Sequence, residues 1–140
     1  MAVIAVAVYG VALVVGGSSA VEDNWVAILV QSGSGAVVNG IDLSAEARTR
    51  VVKGWYTQFL GRPAMNGEEQ GFVQQLVGGM TEEQVLGGIL GSQEYFNRAP
   101  QVPGVGGGPA TNQTFVQALY VQLLNRGGGA SEINSWVSQI

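Results

Sequence analysis

The sequence predicts an all-α chain of tandem three-helix repeat units, packed as a helical bundle or short solenoid. Three observations carry that expectation. Apolar residues recur at steps of three and four, which is helical spacing. Tyr9, Tyr56 and Tyr120 each precede a large aromatic, Trp25, Phe72 and Trp136, by 16 residues. Glycines, prolines and a Thr-led capping box fall between the apolar runs. At 140 residues the chain can bury a core without staples, and it has no cysteine to form any. Charged residues make up 11 % of it, under half the usual share of about 25 %, so its faces are apolar enough to need cover.

The first copy spans residues 1–50. Its opening run, Ala2 to Val15, is 14 residues long, short of the roughly 20 apolar residues that cross a bilayer. A secretory signal fits better than a span, because Ser18-Ser19-Ala20 resembles a small-residue cleavage site. No basic residue precedes the run, however, and the first charge is the acid Glu22. Its Val-rich content favours a strand locally. The repeat register overrides that preference and places Ala2 to Val15 as the first helix of copy one, with Ile4, Val8 and Tyr9 standing where Phe115, Leu119 and Tyr120 stand later. A helix apolar on nearly every side requires cover from another helix or another chain.

The second copy spans 51–98. Val52, Trp55, Tyr56, Phe59 and Leu60 lie on one helical stripe, which Gly61 and Pro63 stop. Phe72, Val73, Leu76 and Val77 repeat the pattern up to Gly78-Gly79. Thr81-Glu82-Glu83-Gln84 reads as a capping box that opens a third helix over Val85, Leu86, Ile89 and Leu90. Val37-x-x-Gly40-Ile41-x-x-Ser44-x-Glu46 matches Val85-x-x-Gly88-Ile89-x-x-Ser92-x-Glu94 at an offset of 48. No breaker separates Ser44 from Val51, so the last helix of copy one continues into, or abuts, the first of copy two. Tyr9 and Tyr56 are 47 apart, whereas Tyr56 and Tyr120 are 64 apart, which leaves 17 inserted residues. The insertion is visible as the Pro/Gly-rich run Pro100 to Pro109 within 99–113, a linker by composition, and 114–140 is a partial third copy.

Chemistry-bearing motifs are few. The chain has no histidine or cysteine, which removes imidazole bases, thiolate nucleophiles and soft metal ligands. A net charge of −4 gives no cationic footprint for nucleic acid. Gly104-Val105-Gly106-Gly107-Gly108 lacks the strand and helix that flank a dinucleotide loop, and no calcium loop is spelled, so neither cofactor nor metal is expected. Glu68-Glu69 and Glu82-Glu83 read as helix N-terminal acids that meet the positive end of the dipole. Asn112-Gln113-Thr114 reads as a helix cap before Phe115 rather than a glycosylation site. No nucleophile–base pair is spelled, so the expectation is no enzymatic activity.

Tyr56-x-x-Phe59-Leu60-Gly61-Arg62-Pro63, the aromatic at Phe72 and Gly91-Ser92-Gln93-Glu94-Tyr95-Phe96 resemble the tandem module called domain of unknown function 4214. Tyr120-x-x-Leu123-Leu124-Asn125-Arg126 with Glu132-Ile133-x-x-Trp136 resembles its first half again. The likeness covers 48–98 and 113–140 and is weak before Trp25. It implies an α-helical repeat module of secreted or surface bacterial proteins, with no assigned activity, distantly like the helical domains of phycobilisome linkers. Copy one departs from it, with Val15 where the others have Arg62 and Arg126. The acid that often follows the Leu-Gly-Arg run is replaced by Met65 and Gly129.

Arg62 and Glu94 form the most informative polar pair. In an up, down, up bundle the ends of the first and third helices meet, which brings the two within reach; the competing reading is two ordinary exposed charges. Copy one has Glu46 but no arginine, whereas copy three has Arg126 but stops at Ile140 before any Ser-x-Glu helix. Leu119, Leu123 and Trp136 therefore lack a cover. The function expected is an extracellular or cell-surface structural module that self-associates head to tail, with the N-terminal segment of one chain completing the last copy of the next. The alternative is a surface-binding module that recognises glycan or a partner protein through exposed aromatics.

Overall fold

The computed structural model describes residues 4–8, 11–15 and 20–140. It opens on a two-stranded antiparallel hairpin, β1 (Ile4–Val8) and β2 (Val11–Val15), in the register Ile4↔Val15 to Val8↔Val11. This overturns the helical slot assigned to Ala2–Val15. Valine alternating with alanine, broken into two runs around a glycine, follows local β preference, and the distant repeat register does not override it. Ile4 and Val8 thus lie on a strand, and Tyr9 lies outside the described residues.

From Ala20 onward the fold is all-α, and among the described residues seven α-helices follow the hairpin. The first, α1 (Ala20–Asp42), is broken at Gly33, whose φ of 81 and ψ of 173 leave helical space. Residues 34–42 are consequently a separate helical run. Then come α2 (Ala45–Trp55), a π-helical turn (Tyr56–Leu60), α3 (Gln70–Val77), α4 (Glu82–Leu90) and α5 (Gln93–Arg98). A 3-10 turn (Ala99–Gln101), α6 (Asn112–Leu124) and α7 (Ala130–Val137) complete the chain. The run 34–42 and α4 begin and end 48 residues apart, and so do the starts of α2 and α5. Among the described residues no helix is long and apolar enough to cross a membrane.

Caps explain most boundaries. At α4 the Gln84 amide donates to Thr81 Oγ1 at 3.3 Å, and the Thr81 amide donates to Gln84 Oε1 at 3.0 Å, the reciprocal box read from the sequence. Ser44 and Ser92 accept from the amides three residues on, at 3.2 Å each, and so start α2 and α5. The helical run 34–42 therefore abuts α2 rather than continuing into it, and α4 stops at Gly91. The cap of α6 is Thr111, whose Oγ1 accepts from the Thr114 amide at 3.2 Å, one residue before the expected Asn112.

Residues up to Ala47 form one compact unit and Arg48–Ile140 form another. The core of the second unit gathers Val52, Tyr56, Phe59 and Leu60 with Leu76, Val85, Ile89 and Tyr95, all buried. Each large apolar side chain removed from water there is worth about 1.5–3 kcal/mol. The stretch 99–113, read as a linker, is no spacer. Ala99 and Val102 are buried in this same core and Val105 packs on it, so the residues before and after the stretch share one compact unit. Glycines on either side let the backbone turn while the valines anchor it, and composition alone conceals the anchors.

Candidate functional site

Two similar side-chain clusters stand 64 residues apart. In the first, Gly61 takes the left-handed conformation that ends the π turn, which sends Arg62 back across the face of Tyr56, its guanidinium carbon 5.4 Å from the ring centre. Arg62 donates through Nε and Nη2 to the two oxygens of Glu94, at 2.5 and 2.8 Å. Its Nη1 and Nη2 donate to Glu68, and Nη1 also reaches the Pro63 carbonyl at 3.1 Å. Glu68 in turn accepts from the Met65 amide at 2.9 Å. The sequence placed Arg62 with Glu94, and the structure brings them together with a third member. Glu68, read as a helix-dipole acid, is that member.

In the second cluster Asn125 takes the left-handed position at the end of α6, and Arg126 lies 5.1 Å from the centre of the Tyr120 ring. Arg126 donates to Glu132 through Nη1 and Nη2 at 2.9 and 2.8 Å, and to the Gly127 carbonyl at 3.1 Å. Glu132 accepts from the Gly129 amide at 2.8 Å. Trp136 Nε1 donates to the Tyr120 hydroxyl at 3.1 Å, where the first cluster has Phe72 set edge-on to Tyr56 at 6.4 Å. The recurrence of Glu six residues after Arg is the sequence signal that finds Glu68 and Glu132. Met65 and Gly129 serve through their backbone amides, which donate to Glu68 and Glu132.

Electrostatics follow the contacts. Hydrogen bonds from Arg62 hold the carboxyls of Glu94 and Glu68 below the usual range, with the Met65 amide adding to the effect at Glu68. Arg126, then the Gly129 amide, lowers Glu132 to about 2. The Tyr56 phenol is pushed up, first by burial and then by the Glu68 charge. Each guanidinium is held charged by its carboxylates, Glu94 and Glu68 for Arg62 and Glu132 for Arg126. These groups are latched as ion pairs.

Burial is where the two clusters part. Around the first, Tyr56, Phe59 and Leu60 are 5 %, 3 % and 7 % exposed, because α5 packs over the π turn. Around the second, Leu123 and Leu124 are 50 % and 57 % exposed and Trp136 is 53 % exposed. With Leu119, Tyr120 and Ile140 they line an open apolar groove of about 360 Å³ between α6 and α7. Among the described residues Arg126 has no second carboxylate in the place that Glu94 takes on Arg62. Glu46, the counterpart of Glu94, lies exposed in the first turn of α2.

A second hollow, of about 410 Å³, has Gln113, Thr114, Gln117 and Asn134 among its lining. Among the described residues no cluster of three or more carboxylates could hold a metal ion. No family model, curated protein or solved structure matches the chain.

Proposed function

We propose that the chain is a non-enzymatic structural module that self-associates. One observation carries this reading: the residues that α5 covers in the first cluster have counterparts that stand open in the second. Apolar side chains left half in water at equivalent positions call for a cover of the same kind, and a large apolar groove on a weakly charged surface is a docking face. The resemblance to domain of unknown function 4214 supports an α-helical repeat module and an extracellular or cell-surface setting. The strand conformation of Ile4–Val8 removes the first helix as the covering piece, so the cover must come from elsewhere. Sedimentation velocity of the full chain over a range of micromolar concentrations tests the reading. Concentration-dependent growth that Leu123→Asp abolishes is expected; a wild-type chain that stays monomeric throughout would sink it.

A second reading rests on the amide-lined hollow. Gln113, Gln117 and Asn134 offer donors and acceptors suited to sugar hydroxyls, and Gln113 Nε2 donates to Asn134 Oδ1 at 3.5 Å in its lining. Saturable binding on a glycan array, lost in Gln117→Ala and kept in Leu123→Asp, would favour it over self-association.

A further inference from the structure

The open groove in copy three has a counterpart in copy two that is already filled, and what fills it is α4 followed by α5. Ile89 of α4 is 2 % exposed there, and Glu94 at the start of α5 reaches across to Arg62. The chain holds another segment with the same register. The helical run 34–42 matches α4 end for end, Ser44 caps α2 as Ser92 caps α5, and Glu46 falls where Glu94 falls. Its apolar side chains are uncovered: Val38 is 63 % exposed and Ile41, the counterpart of Ile89, 48 %. One molecule therefore carries an apolar groove beside an arginine and an apolar helix beside a free-standing glutamate.

We infer that residues 34–46 of a second copy of this chain seat in the groove between α6 and α7, with Ile41 against Leu123 and Trp136 and Glu46 on Arg126. The inference rests on the self-association proposed above and names its two surfaces. The occupant is a second copy because charge and shape both match. Glu46 brings to Arg126 the second carboxylate that Arg62 already has, and a helix edged by two exposed aliphatics fits an apolar trough. The contact uses different surfaces on the two molecules, so each chain keeps one groove and one helix free, and growth continues head to tail.

Purified full-length chains test this by sedimentation velocity and light scattering. Ile41→Asp spoils the helix and Leu123→Asp spoils the groove; both side chains are half exposed, so both variants keep the core. Each variant alone is expected to remain monomeric, and the two mixed in equal amounts are expected to form a heterodimer that grows no further. That heterodimer also shows that both variants are folded. Glu46→Arg is expected to weaken association about three- to tenfold by setting like charges together. If the wild type associates but Ile41→Asp and Glu46→Arg associate equally well, the segment is wrong while self-association stands. If the two blocked variants fail to pair although the wild type assembles, the heterologous contact is wrong. A monomeric wild type would remove both the inference and the reading beneath it.

Discussion

Gly61 shows how one residue positions the candidate site. Its φ of 67 and ψ of 21 end the π turn, and a Cβ built there would lie 2.2 Å from the guanidinium carbon of Arg98, whose Nε donates to the Phe59 carbonyl at 3.2 Å. Gly61→Ala therefore adds left-handed strain and displaces Arg98 from its acceptor. The expected loss is about 2–3 kcal/mol, the sum of a Cβ in left-handed space and one hydrogen bond. Asn125→Ala at the equivalent position should cost about 1 kcal/mol at most, since an asparagine already tolerates that geometry and is replaced without a steric partner. Urea unfolding of the two variants measures the difference; equal losses would contradict the role given to Arg98.

Acid sensitivity belongs to the same scale. Glu132 ionises at about 2 in the folded chain against an ordinary 4.5, because Arg126 and the Gly129 amide favour its charged form. A depressed carboxyl stabilises the fold above its unfolded value, and that contribution disappears as pH falls through the folded one. Wild type and Glu132→Gln should therefore differ in urea midpoint at neutral pH and converge between about pH 4.5 and 2. Glu68 and Glu94 are unchanged in both proteins, so any acid limb they cause is common to both. A midpoint difference that persists at pH 2 would show that the glutamine disturbs more than the charge.

At the scale of elements, α5 ties the core unit together through Tyr95. Its hydroxyl donates to Gln122 Oε1 on α6 at 2.7 Å, and Gln122 Nε2 donates to the Gln58 carbonyl in the π turn at 3.3 Å, so one relay links three elements. The ring is fully buried and meets Phe115 edge-on at 5.8 Å. Tyr95→Phe keeps the packing and removes the relay, with an expected cost of about 1 kcal/mol. Burial pushes the Tyr95 phenol up to about 12. A raised phenol stabilises the fold fully below its ordinary pKa of 10, and the contribution is lost as pH climbs to the folded value. The alkaline limb of stability should consequently be shallower in Tyr95→Phe, as chemical denaturation at pH 9 to 12 would record.

Elements differed in how readably the sequence announced them. Thr81 and Gly61 sit at boundaries because their own chemistry makes boundaries, so the cap of α4 and the end of the π turn are read directly. At Ile4–Val8 and Val11–Val15 valine's local β preference outweighs the distant repeat register, and the hairpin follows the local rule. Val102 was hidden among glycines and prolines, whose abundance signals flexibility even where one buried valine fixes the strand of chain to the core. At the candidate site, Arg62 with Glu94 was legible from bundle geometry alone. Glu68 and Glu132 carry a quieter signal, their common six-residue spacing after arginine.

On the scale of the whole molecule, the second compact unit carries its own core and its own ion pairs. Arg48 reaches Glu82 at 3.4 Å and Lys53 reaches the buried carboxylate of Glu69 at 3.3 Å, both within that unit. A fragment covering residues 44–140 retains Ser44, which caps α2, and so keeps every contact of the core. It should unfold cooperatively with a urea midpoint close to that of the full chain. The fragment keeps the groove beside Arg126 and lacks the helical run 34–42, so under the assembly proposed it can receive a partner but cannot be received. Added at a small fraction of the full-length concentration, it is expected to occupy growing ends and lower the light-scattering plateau in proportion to its amount. The same fragment carrying Leu123→Asp has neither surface and should leave the plateau untouched. Equal suppression by both fragments would place the growth contact somewhere other than the groove, and no suppression by a well-folded fragment would show that this groove does not receive the next chain.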